Sequence, residues 1–288
     1  MNFKHDLAEL CKKELMLKGI EVPPEWNDHE ICIMFLEISD RCFNSNVSYE
    51  VKCSKELLEK LPTLTEEEQS AIKDIETCLK TCKSITSYMS KDILKTSVKK
   101  SDFLLKNWNI YHLHLEKREE KGFYQNPNLL FVQPQNKVVY FIDIKKHPTG
   151  ETWFDRDLLN IIFNNWPELL IYQERFKVEH SIPDNKVHGA LKQSVAAIDF
   201  HEGCLFPTNL GVSTSGNSNM IVGKVNRLFN EFTKYEKMLL ENEKTIKHFI
   251  LGQQTSMSNR LDYRLEIEND FFVAREIKTG LKIKMFRF

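Results

Sequence analysis

The chain of 288 residues contains only ten glycines, roughly half the usual share of about 7%. So little glycine excludes collagen-like and Gly-rich linker sequences, and wherever the few glycines gather a backbone requirement is expected. An excess of one charge is also missing. Lys and Arg number 40 against 41 Asp and Glu, a formal net charge of -1. That balance excludes a protein that coats nucleic acid by bulk electrostatics, while leaving room for a local basic cleft. No stretch approaches the roughly 18 uninterrupted apolar residues of a bilayer span, so no membrane partner is expected. The opening residues, MNFKHDLAELCKKEL, mix acids and bases where a secretory signal would show a basic end and an apolar run. A cytoplasmic location is the expectation.

Paired cysteine motifs are absent as well. The seven cysteines, Cys11, Cys32, Cys42, Cys53, Cys78, Cys82 and Cys204, include no C-x-x-C. Zinc knuckles, zinc ribbons and a thioredoxin-type site are thereby excluded, and reduced structural thiols are the default in a cytosolic chain. Cys78 and Cys82, one helical turn apart, leave a metal or disulfide reading open beside it. There is no internal repeat and no low-complexity tract.

What is there is a globular composition, 41% hydrophobic and 28% charged, enough for one large domain or two ordinary ones. The first hundred residues read as helical. Apolar positions at Phe3, Leu7, Leu10, Cys11, Leu15 and Leu17 follow a 3.6 period until Gly19 and Pro23-Pro24. A buried helix is expected over Ile31 to Phe43. Thr65-Glu66-Glu67-Glu68 carries a capping-box pattern at the start of a helix over 66–83. Past Trp108 the period changes to alternation. Strands are expected over 109–115, 129–132 and 138–144, with a hairpin at Pro134-Gln135-Asn136-Lys137, and a helix over 155–164. Alternation returns over 194–206, a long helix spans 219–248, and a strand meander runs from Leu261 to the end. The fold class is α+β: a helical N-terminal region followed by antiparallel sheet units with packed helices. The expected domains are a helical region (1–105), a sheet (106–180), and a strand, loop and long-helix unit with the C-terminal meander (181–288).

Residues i and i+2 of a strand share a face, so His112 and His114 stand side by side while Leu113 and Leu115 face the core. In the third strand, alternation groups Tyr140, Ile142 and Ile144 on one face and Asp143, Lys145 and His147 on the other. One polar face would then carry His112, His114, Asp143 and His147, with Arg118 and Lys146 close by. Without metal, one histidine can take the proton of an RNA 2′-hydroxyl while the other protonates the leaving 5′-oxygen. Arg118, Lys145 or Lys146 would stabilise the anionic phosphorus. With metal, His112, His114, His147 and Asp143 are ligand types of a zinc or manganese hydrolase. Structural histidines on a strand face are the bland alternative to both.

The order His112-Leu113-His114-Leu115, Leu129-Leu130-Phe131-Val132, Val139-Tyr140-Phe141-Ile142-Asp143-Ile144 and His147 resembles the sheet of RelE-like toxin ribonucleases over about residues 108–165. The likeness implies a compact antiparallel sheet that cleaves RNA without metal. It implies His112, His114, Arg118, Lys146 and His147 as the site and a role in bacterial or phage conflict. Such toxins are small and basic, and here the helix from 155 follows the sheet.

Four of the ten glycines, Gly203, Gly211, Gly216 and Gly223, fall within about twenty residues of one another. The run Gly211-Val-Ser213-Thr214-Ser215-Gly216-Asn217-Ser218 ends where the long helix begins. Its hydroxyls and backbone N–H groups could hold a phosphate at the positive end of the helix dipole. It lacks G-K-[ST], G-x-G-x-x-G and G-x-S-x-G, and simple capping by Ser215, Asn217 or Ser218 is the other reading. The basic, Phe-bearing C-terminal strands read as an edge sheet with solvated lysines, or as a nucleic-acid surface.

The expected function is a metal-independent, cofactor-free endoribonuclease of toxin or phage-defence type. His112 and His114 would be the acid–base pair, Arg118 and Lys146 the charge stabilisers, His147 a support, and Ser213, Thr214, Ser215, Asn217 and Ser218 the phosphate holder. RNA is the expected partner, with an antitoxin or regulatory protein and a homodimer through the helical region as further ones. A metal-dependent phosphodiesterase and a non-catalytic binding or immunity module are the alternatives.

Overall fold

A computed structural model of the chain describes residues 1–41, 43, 47–90, 103–116, 126–146, 156–170, 182–183, 186–187, 189–190, 197–199, 205–207, 217–251 and 260–287. The fold is α+β. Among the described residues no helix is long and apolar enough to cross a membrane. The chain divides into two compact units, one formed by residues 1–36 with 221–288 and the other by residues 37–220. The boundaries expected at 105/106 and 180/181 both fall inside the second unit. The first unit is discontinuous because its two chain ends pack on each other, an association with no local signature.

The second unit is built on a four-stranded sheet of β1 (Glu50–Cys53), β2 (Tyr111–His114), β3 (Asn128–Gln135) and β4 (Val138–Lys146), in the order β1-β4-β3-β2. The β2-β3-β4 meander is antiparallel, as its alternation predicts, and Asn136 takes a left-handed φ of 55° in the β3–β4 turn. Strand β1 corrects the expectation of an all-helical first hundred residues. It pairs parallel with β4, Glu50 opposite Val138 and Cys53 opposite Phe141. Four residues of Glu-Val-Lys-Cys are too short to show a period, so only the pairing identifies them.

Helix α1 spans Phe3–Leu17, α2 Asp28–Arg41, α3 Lys55–Lys60 and α4 Glu66–Lys80. The capping box of α4 is present: the Thr65 hydroxyl accepts from the Glu68 N–H, and the Glu68 carboxylate accepts from the Thr65 N–H. Ile72, Ile75 and Leu79 of this helix pack with Leu113, Leu130, Val132, Val139, Phe141 and Ile144 on one face of the sheet. On the other face, α5 (Phe103–Trp108) and α6 (Arg156–Asn165) enclose Leu129, Phe131 and Ile142 with Leu104, Trp108, Leu158, Leu159 and Ile162. Each large side chain removed from water in this way contributes about 1.5–3 kcal/mol. Further along, β5 (Ala197–Asp199) and β6 (Leu205–Pro207) form an antiparallel pair.

Both faces of the main sheet are therefore buried, and the alternation of β4 breaks. Register pairs Val132 with Phe141 but Phe131 with Asp143, so Ile142 is the extra residue of a β-bulge. Ile142 joins the Leu129–Phe131 cluster while Ile144 joins the opposite one. The expected grouping of Tyr140, Ile142 and Ile144 on one face is corrected by that single inserted residue.

In the first unit, the expected 219–248 helix is two helices, α7 (Asn219–Glu241) and α8 (Glu243–Leu251). Asn242 interrupts them, its side-chain amide donating to the Met238 carbonyl. The C-terminal meander is β7 (Tyr263–Glu268), β8 (Phe271–Glu276) and β9 (Lys282–Arg287). Asn269 and Asp270 both adopt positive φ, 47° and 63°, which suits a tight hairpin. Its core is aromatic: Phe232 of α7 meets Phe3, Phe272 and Phe286 at ring-centroid distances of 6.2, 5.0 and 5.4 Å. Asp6 of α1, 8% exposed, accepts from the Leu265 N–H and the Arg264 guanidinium, tying the N-terminal helix to the edge of β7.

Candidate functional site

The histidine strand is positioned from both sides. Asn109, at a left-handed φ of 56°, ends α5 with its N–H on the Leu105 carbonyl, and its side-chain amide donates to the Pro134 carbonyl of β3. This turn delivers β2 to the edge of the sheet. Tyr111, whose hydroxyl donates to the Asp40 carbonyl, faces the α4 side with Leu113. His112 and His114 face the other way, opposite Phe131 and Leu129. Their rings stand 6.2 Å apart, centroid to centroid, at an interplanar angle of 76°. His112 is half-buried and His114 is 6% exposed.

Register extends these two rows across β3 to β4. The His112–Phe131 row continues to Asp143, and the His114–Leu129 row to Lys145. Adjacent strands lie about 4.8 Å apart, so Lys145 starts about 10 Å from His114 in backbone terms. Its ammonium lies 3.3 Å from Asp157 at the start of α6. Asp143 is 1% exposed, and Lys60 of α3 grips both of its oxygens at 2.7 and 2.8 Å. Its carboxylate is thus engaged in an ion pair with no sequence signal, because Lys60 lies 83 residues away in a helix with no motif.

Lys146 is not in the histidine rows. It is exposed, and its register partner Asn128 directs its amide to Glu68 of α4, on the opposite face. The cation that shares the histidine face is Lys145, as alternation beyond the bulge requires. Arg118 and His147 lie outside the described residues. The structure therefore brings together His112 and His114, sets Asp143 and Lys145 two strands away in the same register rows with their side chains on Lys60 and Asp157, and leaves Lys146 outside those rows. No group of three or more His, Cys, Asp and Glu among the described residues could hold a metal ion; His147, the third histidine of that reading, is outside them.

At the second candidate site, Ser213, Thr214 and Ser215 lie outside the described residues. Asn217 is half-buried and Ser218 is 3% exposed, directly before α7. The Ser218 N–H donates to the Glu37 carboxylate at 2.5 Å. That carboxylate also pairs with Arg41 at 3.1 Å and Lys106 at 3.8 Å. An internal anion thus occupies the N–H expected to meet a phosphate. Glu37, on a helix read from sequence only as apolar, carries no local signal of this role.

The basic C-terminal strands are neutralised by a surface ladder. Arg275 pairs with Glu266, Lys282 with Glu266 and Glu268, and Arg287 with Asp270. Lys284 lies 3.4 Å over the ring of Phe271. Exposed pairs of this kind are worth little individually, but they keep the cations of this sheet engaged.

No protein-family model matches the chain, no curated protein matches it, and no solved structure matches it.

Proposed function

We propose that the chain is a metal-independent endoribonuclease of toxin or phage-defence type, in which His112 and His114 act as the acid–base pair. The observation that carries this reading is the pair of imidazoles in edge-to-face contact on strand β2, with Lys145 in the same row. Imidazole can both accept and donate a proton, the two roles that this reaction requires. One accepts the 2′-hydroxyl proton as that oxygen attacks phosphorus; the other gives a proton to the departing 5′-oxygen. The half-buried His112 is the more accessible base, and His114 the acid. Lys145 supplies positive charge toward the crowded phosphorus once it leaves Asp157. The products are a 2′,3′-cyclic phosphate and a free 5′-hydroxyl.

The test is incubation of the full chain with structured and unstructured RNA in excess chelator. Cyclic-phosphate ends are expected, and paired His112→Ala and His114→Ala substitutions should remove at least about 100-fold of the rate. Cleavage undiminished in that double variant would sink the reading, and cleavage abolished by chelator would replace it with a metal-dependent phosphodiesterase. One observation favours a second reading, a non-catalytic binding or immunity module. His114 is 6% exposed and stands opposite Leu129, as a structural histidine would. RNA or protein binding without any cleavage, and no growth arrest on expression alone, would support it.

A further inference from the structure

In the first unit, helices α1, α2 and α7 meet around the half-buried Phe229. The Lys4 ammonium of α1 lies 5.8 Å from its ring centroid, and the His29 ring of α2 meets it edge-on at 5.5 Å. His29 Nε2 donates to Asn226 Oδ1 at 2.8 Å, since a carboxamide oxygen can only accept. That bond occupies the oxygen and leaves the NH2 group of the exposed Asn226 as a donor. At 3.6 residues per turn, Arg227, Asn230, Lys234 and Lys237 continue along the same exposed side of α7, opposite the buried Val225, Phe232 and Leu239. The stripe is about 16 Å long.

Carboxylates on the same turns are already engaged: Asp28 with His5, Glu231 with Lys234 and Glu241 with Lys237. Lys4 and Arg227 have no carboxylate partner among the described residues; the first rests on Phe229, and the guanidinium of the second lies back over Gly223, 4.0 Å from where a Cβ would stand. We propose that this face binds the phosphate backbone of RNA, with Lys4 and Arg227 contacting phosphates and Asn226 and Asn230 donating to phosphate or sugar oxygens. The choice of RNA rests on the ribonuclease reading of the histidine strand.

The chemistry of the face matches that ligand. Arginine offers a planar fork to phosphate oxygens and lysine a point charge, while carboxamide donors hold backbone oxygens without reading bases. With a net charge of -1 on the chain, attraction has to come from a local surface. The C-terminal sheet does not supply it, because Arg275, Lys282 and Arg287 are held by its own carboxylates. An interface with another protein buries an apolar centre, and no large apolar side chain is exposed between Asn226 and Lys237.

The experiment uses the full chain carrying His112→Ala and His114→Ala, so that the probe, a short fluorescent oligouridylate, stays intact while its anisotropy is followed over a salt series. Adding Lys4→Gln and Arg227→Gln should weaken binding about tenfold and flatten the slope of log K against log salt by about 1.4, the share of two phosphate contacts on a single strand. Lys4→Arg with Arg227→Lys, which keeps both charges, should retain most of the affinity. Lys282→Gln with Arg287→Gln, which removes engaged cations, should leave it within about twofold. Absence of binding at low salt, an unchanged affinity and slope in the Lys4 and Arg227 variant, or an equal loss in the Lys282 and Arg287 variant would overturn the proposal. So would equal affinity for poly-glutamate, which would assign the face to an acidic protein segment. Cleavage by the unsubstituted chain is measured separately: missing cyclic-phosphate ends would sink the ribonuclease reading while the binding result stood.

Discussion

Glu68 shows how much one side chain holds. Only 4% exposed, it accepts from the Thr65 N–H at the start of α4 and from the side-chain amides of Asn126 and Asn128 at the start of β3. Burial pushes its carboxyl up, but the hydrogen bonds from Asn128, Thr65 and Asn126 outweigh that and leave it below the ordinary value of 4.5. Because the folded value is depressed, its contribution is present above pH 4.5 and is lost as pH falls through the folded value. Glu68→Ala removes a capping-box partner and leaves two half-buried amides without their acceptor, and should cost about 2 kcal/mol in urea unfolding at neutral pH. The difference from the unsubstituted chain should shrink on acidification. Half of this was visible in sequence, since Thr65 and Glu68 stand three apart. Asn126 and Asn128 lie about sixty residues away and were not.

Between elements, the link from α1 to α2 is sensitive to pH. The His5 ring nitrogen Nδ1 lies 3.1 Å from Asp28. The hydrogen bond with Asp28 and its charge raise the His5 pKa above 6.5. A raised folded value means that the stabilisation is complete below pH 6.5 and fades as pH rises through that folded value. Thermal melts over that window should show a decline that His5→Gln abolishes. The pair is about half exposed, so the effect is small. At the same scale, β4 shows why faces were misassigned. Alternation is a sound rule for an unbroken ladder, but the bulge at Ile142 resets it and separates Ile142 from Ile144, while Asp143 and Lys145 keep the histidine rows that alternation assigns them. A bulge in a strand buried on both faces leaves no mark in the residue pattern.

Over the whole molecule, the first unit is assembled from residues 1–36 and 221–288. Phe3 is fully buried against Phe232, and its N–H donates to Glu236. A chain ending at residue 220 would leave α1 without its aromatic partners and without the Arg264 that pairs with Asp6. Hydrogen exchange should then show loss of amide protection over Phe3–Leu17, while β3 and β4 stay protected. Retained protection in α1 would mean that its burial does not depend on the C-terminal segment.

The sequence by itself determined the local structure. Periodicity, the Thr65–Glu68 box, the hairpin at residues 134–137 and the shift to alternation after Trp108 act through nearest neighbours along the chain, and the helices, the meanders and the α+β class follow from them. Only the tertiary structure decided which charges meet. Lys60 on Asp143, Glu37 on the Ser218 N–H, Asp6 on Arg264 and the parallel strand β1 all join residues distant in sequence. Their pairing depends on packing, burial and register, which the one-dimensional pattern does not encode.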